Sequence, residues 1–270
     1  MLTPSQITTA AAALFKAEET RQQIGLLSLA HPQMDMDDAY KVQSAFVALR
    51  QAAGHRQIGW KIGLTSRAMQ QALGITTPDS GVLMDDMRFA NNATIAANRF
   101  IQPRIEAELA FVLHSPLSGP NVTTGQVLTA TAHIQPALEI LDTRILRADP
   151  ATGKTRTIVD TIADNAANAG IVTGDTARSP TEFDPRWAGA IVQRNGVVEE
   201  TGLGAGVLNH PALGVAWLAN RLARYGQRIE PGQVILSGSF IRPIECRPGD
   251  TIHADFGPLG IVGCHFAAAR

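Results

Sequence analysis

The stretch Pro103-Arg-Ile-Glu-Ala-Glu-Leu-Ala-Phe-Val-Leu113 has the length and apolar texture of a single β-strand entered through a proline. Side chains alternate between the two faces of a strand, so Glu106 and Glu108 project the same way, about 7 Å apart. Two carboxylates that close raise each other's pKa unless something positive sits between them. Outward from this stretch the texture repeats. From Gln57 onward, short apolar runs are cut by Gly and Pro, the mark of strands and turns. Glu230-Pro-Gly-Gln-Val-Ile-Leu-Ser-Gly-Ser-Phe240 and Arg247-Pro-Gly-Asp-Thr-Ile-His-Ala-Asp-Phe256 each place a Pro-Gly turn before an apolar strand. Asn195-Gly196, between two apolar runs, predicts a tight hairpin, so the sheet is at least partly antiparallel.

The N-terminal side reads differently. Thr3 followed by Pro4 sets an N-cap and a first helical turn. Asp35 can cap a second helix in which Ala39, Val42, Phe46 and Leu49 recur at helical spacing up to Gly54. A short helix is expected over Ser66 to Leu73 and a longer one over Asn209 to Tyr225, each closed by a glycine. The organisation predicted is an N-terminal helical segment, 1–56, followed by a β-rich catalytic domain, 57–270.

In 270 residues with 45% apolar and 17% charged side chains there is material for a large core. A net charge of −1 supplies no field for nucleic acid or anionic lipid. The apolar runs are far shorter than the ~20 residues of a membrane span, and the first residues lack the basic flank and apolar stretch of a signal peptide. The expected location is the cytoplasm. Cys246 and Cys264 read as buried spectators. No GxGxxG, GxxxxGK[ST] or GxSxG motif is present, which removes the support for nucleotide cofactors and for a Ser-His-acid triad.

Four further positions carry chemistry. Glu139 is the only charge in Pro136-Ala-Leu-Glu-Ile-Leu141, and burying an unpaired carboxylate there is costly. Three oxygen donors, Glu106, Glu108 and Glu139, without a zinc-type Cys or His spacing, suit a hard ion such as Mg²⁺ or Mn²⁺. Pattern alone leaves the alternative open: a solvated edge strand, with Glu139 paired to Arg104 or Arg144. Lys61, one of four lysines, sits in the apolar strand Ile58-Gly-Trp-Lys-Ile-Gly-Leu64, where desolvation is expected to lower its pKa. It reads equally as a lysine snorkelling from an edge. Asp79 lies in turn-like Thr77-Pro-Asp-Ser-Gly81, and Asp160 to Asn165 reads as a helix start.

Taken in order, GWKIGLTS (59–66), QPRIEAELAFVL (102–113), PALEILDTR (136–144), DTIADNAANAG (160–170) and VILSGSF (234–240) resemble the 2-oxo-acid hydratase and decarboxylase branch of the fumarylacetoacetate hydrolase superfamily. The likeness runs from about Asp35 to Phe266. The segments LDTRILRADPATGKTR and SFIRPIECRPGDTIHADFG resemble the subgroup that handles seven-carbon 2-oxo-enedioates in homoprotocatechuate (4-hydroxyphenylacetate) breakdown.

The resemblance implies an α+β fold with a mixed, largely antiparallel rolled β-sheet and outer helices. It implies a hydro-lyase using Mg²⁺ or Mn²⁺ on Glu106, Glu108 and Glu139, with Lys61 and Asp79 as the acid/base pair. Ser237 and Ser239, in the matched VILSGSF, become candidate substrate contacts. A dicarboxylate substrate also needs a cation for its far end, for which Arg144, Arg147 and Arg242 are candidates. Relatives imply a homo-oligomer. Hydration of a five-carbon dienoate, decarboxylation of a 2-oxo-3-enedioate, and a non-catalytic binding or assembly role stay open at this level.

Overall fold

A computed structural model describes residues 1–67, 70, 71 and 74–268; the helix expected over Ser66 to Leu73 falls partly outside them. Helix α1 (Pro4–Thr20) starts at Thr3, whose side chain and that of Gln6 cap each other's backbone reciprocally. A one-turn helix α2 (Leu27–Ala30) precedes α3 (Met36–Ala52), which Asp35 caps through the Asp38 N–H. The apolar stripe of α3, with Val42 and Phe46, packs on Leu14 of α1 and on Ile145 and Ile162 farther along the chain. Truncating Phe46 to alanine in such a site costs about 3–5 kcal/mol.

The strands follow: β1 (Gln57–Gly63), β2 (Asp79–Met84), β3 (Arg88–Phe89), β4 (Ala93–Ile95), β5 (Arg104–Leu113), β6 (Thr131–Leu141), β7 (Asn168–Thr173), β8 (Gly189–Arg194), β9 (Val197–Leu203), β10 (Val234–Leu236), β11 (Ile244–Glu245), β12 (Thr251–Asp255) and β13 (Ile261–Phe266). Among the described residues, α4 (Thr124–Ala130), α5 (Ile158–Ala163) and α6 (Pro211–Ala223) intervene. One sheet has the order β2-β1-β10-β5-β6-β7-β3, with β11 also on β5; the other runs β4-β13-β12-β8-β9. Among the described residues, only the strand pairs β1–β10, β3–β7 and β4–β13 are parallel. The fold is therefore the mixed, mostly antiparallel α+β arrangement expected.

The Asn195-Gly196 hairpin is present, with both residues at positive φ (55° and 81°) as its turn requires. α6 buries an almost continuous apolar surface within the main core. Strand β5 is central, flanked by β6 on one side and by β10 and β11 on the other, so Glu106 and Glu108 do not line a solvated edge. β1 is internal too, and Lys61 is 3% exposed rather than snorkelling. Among the described residues, no helix is long and apolar enough to cross a membrane.

An arginine seam joins the helical layer to the sheets. Arg144 pairs with the buried carboxylate of Asp164, and its Nη2 donates to the Asp164 and Asn168 carbonyls at 2.8 and 3.2 Å. Arg50 pairs with Glu18 and with Asp86. The Arg144 contacts hold the segment after α5, where Asn165, Ala166 and Ala167 stand at positive φ of 52°, 53° and 58°. Left-handed backbone costs an L-residue with a Cβ roughly 1–2 kcal/mol, so the turn persists only because its surroundings impose it. Asn165 supplies part of that constraint, its side chain accepting from Val82 N–H at 2.8 Å and donating to Val82 C=O at 2.9 Å.

Candidate functional site

Antiparallel pairing of β5 and β6 sets Glu106 directly opposite Glu139 and Glu108 opposite Ala137. The three glutamates thereby share one face, each offering an oxygen within 4.8 Å of the others'. Glu108 and Glu139 are buried at 1% and 0% exposure, while Glu106 is half-buried. Glu108 Oε2 accepts the Gly238 N–H at 2.7 Å, but Glu108 Oε1 and both Glu139 oxygens have no hydrogen bond. Burial, then repulsion from Glu139, pushes Glu106 up to about 8. The same causes raise Glu108 well above the usual range, and burial raises Glu139 against the pull of Lys61. Converging, desolvated, oxygen-only donors with unused lone pairs fit a hard divalent cation.

Lys61 reaches this cluster from β1. Its Nζ lies 3.3 Å from Glu139 Oε1 and donates to the Ala166 carbonyl, part of the left-handed turn, at 3.1 Å. Burial lowers its pKa, yet Glu139, Asp79, Glu106 and Glu108 together outweigh burial, so the net direction is upward. That reverses the expectation drawn from desolvation alone. Asp79, at the start of β2, is opposite Gly63 and diagonal to Lys61. Burial raises its carboxyl, opposed by Lys61 and a Gly63 backbone hydrogen bond, and its Oδ1 has no partner. A Cβ on Gly63 would stand 2.2 Å from Asp79 Oδ1 and 3.1 Å from Lys61 Nζ, so only glycine leaves this pair its room.

A second acidic group, His55, Asp85 and Asp86, is half-buried and equally compact. There the charge is already met: Asp86 pairs with Arg50 and Arg99, at 2.5 and 3.0 Å, and Asp85 accepts the Arg56 N–H. It has no need of a metal.

No family model matches the chain. Along almost its whole length it is nevertheless similar to known enzymes. The 2-oxo-hept-4-ene-1,7-dioate hydratase of Escherichia coli is 53% identical over 253 residues, covering 94% of this chain and 95% of that protein. The chain belongs to the hydratase and decarboxylase branch of the fumarylacetoacetate hydrolase superfamily. The 2-keto-4-pentenoate hydratase of Paraburkholderia xenovorans (strain LB400) is 38% identical, with 98% and 96% of the two chains covered. Among solved structures, 4-oxalocrotonate decarboxylase from Pseudomonas putida G7, complexed with magnesium and adipate, superposes with a TM-score of 0.93 at 34% identity, covering 98% and 99% of the chains.

Within this hydratase–decarboxylase framework the arginine and serine candidates separate. Arg144 is not available to a substrate, because Asp164, Glu18 and two carbonyls occupy its guanidinium. Arg242 is exposed and pairs with Glu200 at 2.5 Å. Ser239 Oγ closes a local turn with the N–H and C=O of Ile241. Ser237 is fully buried with an unpartnered Oγ.

Sequence reasoning missed the Gly238 N–H and the Ala166 carbonyl, backbone groups that side-chain patterns do not report. Gly238 (φ +116°) also packs so closely on Thr65 that a Cβ would stand 2.2 Å from its Oγ1. The small-residue run Ser237-Gly-Ser239 after an apolar strand is the one available signal for such a close approach.

Proposed function

We propose that this chain is a divalent-metal-dependent hydro-lyase that adds water to 2-oxo-hept-4-ene-1,7-dioate, giving 4-hydroxy-2-oxoheptane-1,7-dioate, in homoprotocatechuate degradation. One observation carries the choice of substrate: identity of 53% to the enzyme of that name, against 38% and 34% to relatives acting on other acids. Glu106, Glu108 and Glu139 would hold Mg²⁺ or Mn²⁺. Bound there, the ion supplies Lewis acidity, making the 2-oxo group an electron sink, and a template for the substrate's carboxylate end.

The protein's side chains carry the proton traffic. Lys61 Nζ, kept charged by its ring of carboxylates, is placed to give a proton, and the unpartnered Asp79 Oδ1 is placed to take one. Removal of a proton from C3 and delivery of one to C5 move the double bond from the 4- to the 3-position. Water then adds its hydroxyl at C4 and a proton returns to C3. The Gly238 N–H fixes Glu108 and the Ala166 carbonyl fixes Lys61, so neither side chain reorganises during the reaction.

The same reading makes the protein a cytoplasmic homo-oligomer. Trp187, Val197, Val198, Leu203 and Ile261 expose apolar surface around the smaller sheet. A single species at monomer mass in light scattering would reject that part.

A decarboxylase reading has one observation in its favour, the close superposition on 4-oxalocrotonate decarboxylase. Incubation with seven-carbon and five-carbon 2-oxo-enoates and Mg²⁺, followed by product mass analysis, separates gain of water from loss of CO₂. Activity that survives a chelator would sink both.

A further inference from the structure

A cavity of about 430 Å³ lies beyond the Arg104 end of the glutamate cluster, lined by Arg104, Arg147, Arg247, Gln102, Phe100 and Glu245. Arg104 is two residues before Glu106 on β5 and so shares the face of the three glutamates. Along that face burial loosens from Glu108 to Glu106 and Arg104, so the cluster opens toward the arginines. Glu245, opposite Arg104 in the β5–β11 register, is the one carboxylate against three arginines among the described lining residues, with Asp142 behind Gln102.

What marks the group is an excess of positive charge. Arg50, Arg99 and Arg144 each pair with a carboxylate. Arg104 makes no side-chain hydrogen bond or ion pair among the described residues. Arg147 reaches only Gln102, whose Oε1 and carbonyl lie 3.3 and 3.2 Å away. Burial, with Arg104 and Arg156 nearby, depresses the Arg147 guanidinium to about 10 against the opposing pull of Asp142 and Glu245. Unpaired half-buried arginines facing a cavity are built to receive an anion.

Spacing fits one such anion. Arg104 and Glu106 lie about 7 Å apart along the strand. An extended seven-carbon chain separates its terminal carboxyl carbons by roughly the same distance.

We propose that Arg104 and Arg147 form the subsite for the distal carboxylate of a dicarboxylic substrate whose 2-oxo-acid end lies at the three glutamates. The assignment rests on the hydro-lyase reading above and makes these arginines the determinants of dioate over monoacid specificity. Arg247, exposed at the rim, adds attraction without a fixed contact.

The test compares kcat/KM for the seven-carbon dioate and a five-carbon monocarboxylic dienoate, with Mg²⁺, in wild type, Arg147→Met and Arg104→Met. The dioate-to-monoacid ratio is expected to collapse about 100-fold in either variant, chiefly through KM. Arg147→Lys should recover part of it. A ratio unchanged in both variants overturns the subsite.

Calorimetry with non-reacting acids runs independently of turnover. Adipate should bind at least about tenfold more weakly to each variant, while oxalate, which has no distal end, binds as to wild type. Equal losses for both acids also overturn the proposal. If the wild type turns over neither substrate, the hydro-lyase reading fails, and the adipate–oxalate comparison alone decides the subsite.

Discussion

Two sets of carboxylates lie a few strands apart and are treated in opposite ways. In the seam between helices and sheet, Asp164, Asp86 and Glu18 each meet an arginine, and Asp164 also accepts the Arg144 N–H. In the glutamate cluster, three carboxylates share one lysine, and Glu108 Oε1 and Glu139 Oε2 accept no hydrogen bond. Asp164 is as fully buried as Glu108 and Glu139, while Asp86 and Glu18 are half-buried. Where the chain supplies the counter-charge, the carboxylate holds structure; where it withholds it, the fold tolerates a deficit that an external cation can fill.

Substitutions break this comparison from either side. The largest effect is expected from Glu108→Gln, which keeps an acceptor for Gly238 while removing a charge. Turnover should fall by about 10³-fold or more, yet the metal-free protein should melt at a higher temperature because one buried carboxyl that must take up a proton on folding is gone. Lower thermal stability together with retained activity would erase the distinction between the two regions.

Asp164→Asn should do the reverse. It strands the Arg144 guanidinium, and urea unfolding should register a loss of about 3–5 kcal/mol. A loss below about 1 kcal/mol would mean that the seam is not held by charge.

The pH dependence sharpens the contrast further. Glu106 is raised to about 8 in the folded chain, so between its ordinary range and that value the native state binds more protons than the unfolded one. Metal-free stability should therefore fall as the pH climbs from about 5 to about 8. Mg²⁺ should cancel the fall by stabilising the deprotonated cluster. Melts in a chelator and in Mg²⁺ across that range provide the check, and a flat metal-free profile would contradict the raised carboxyl.

The smallest effect belongs to the solvent-exposed pair Asp184–Arg186, 2.5 Å apart. Arg186→Ala should leave the urea midpoint unchanged, since water screens what the seam cannot.

Much of this was legible one strand at a time. Alternation placed Glu106 and Glu108 on one face, and the apolar surroundings of Glu139 announced a buried charge. Capping residues located α1 and α3, and Asn195-Gly196 located a hairpin. Partnership across sequence distance was not legible. Lys61 reaches Glu139 only because β1 runs parallel to β10, which in turn pairs with β5. Arg144 looked free for substrate because its partner, Asp164, comes from the far end of α5, and no local pattern brings the two together. The direction of the Lys61 shift was misjudged for the same reason: burial of one residue can be read from its neighbours in sequence, whereas the field of four carboxylates requires the assembled sheet.

The left-handed turn at Asn165-Ala166-Ala167 bears on how this enzyme could be engineered. Glycine at 166 or 167 would relieve the local backbone strain but would also widen the ensemble of the unfolded chain. It would loosen the carbonyl that orients Lys61 as well. Heat tolerance and turnover are thus tied at these two alanines, and a screen for thermostability that samples them should recover variants in which one property has been traded for the other.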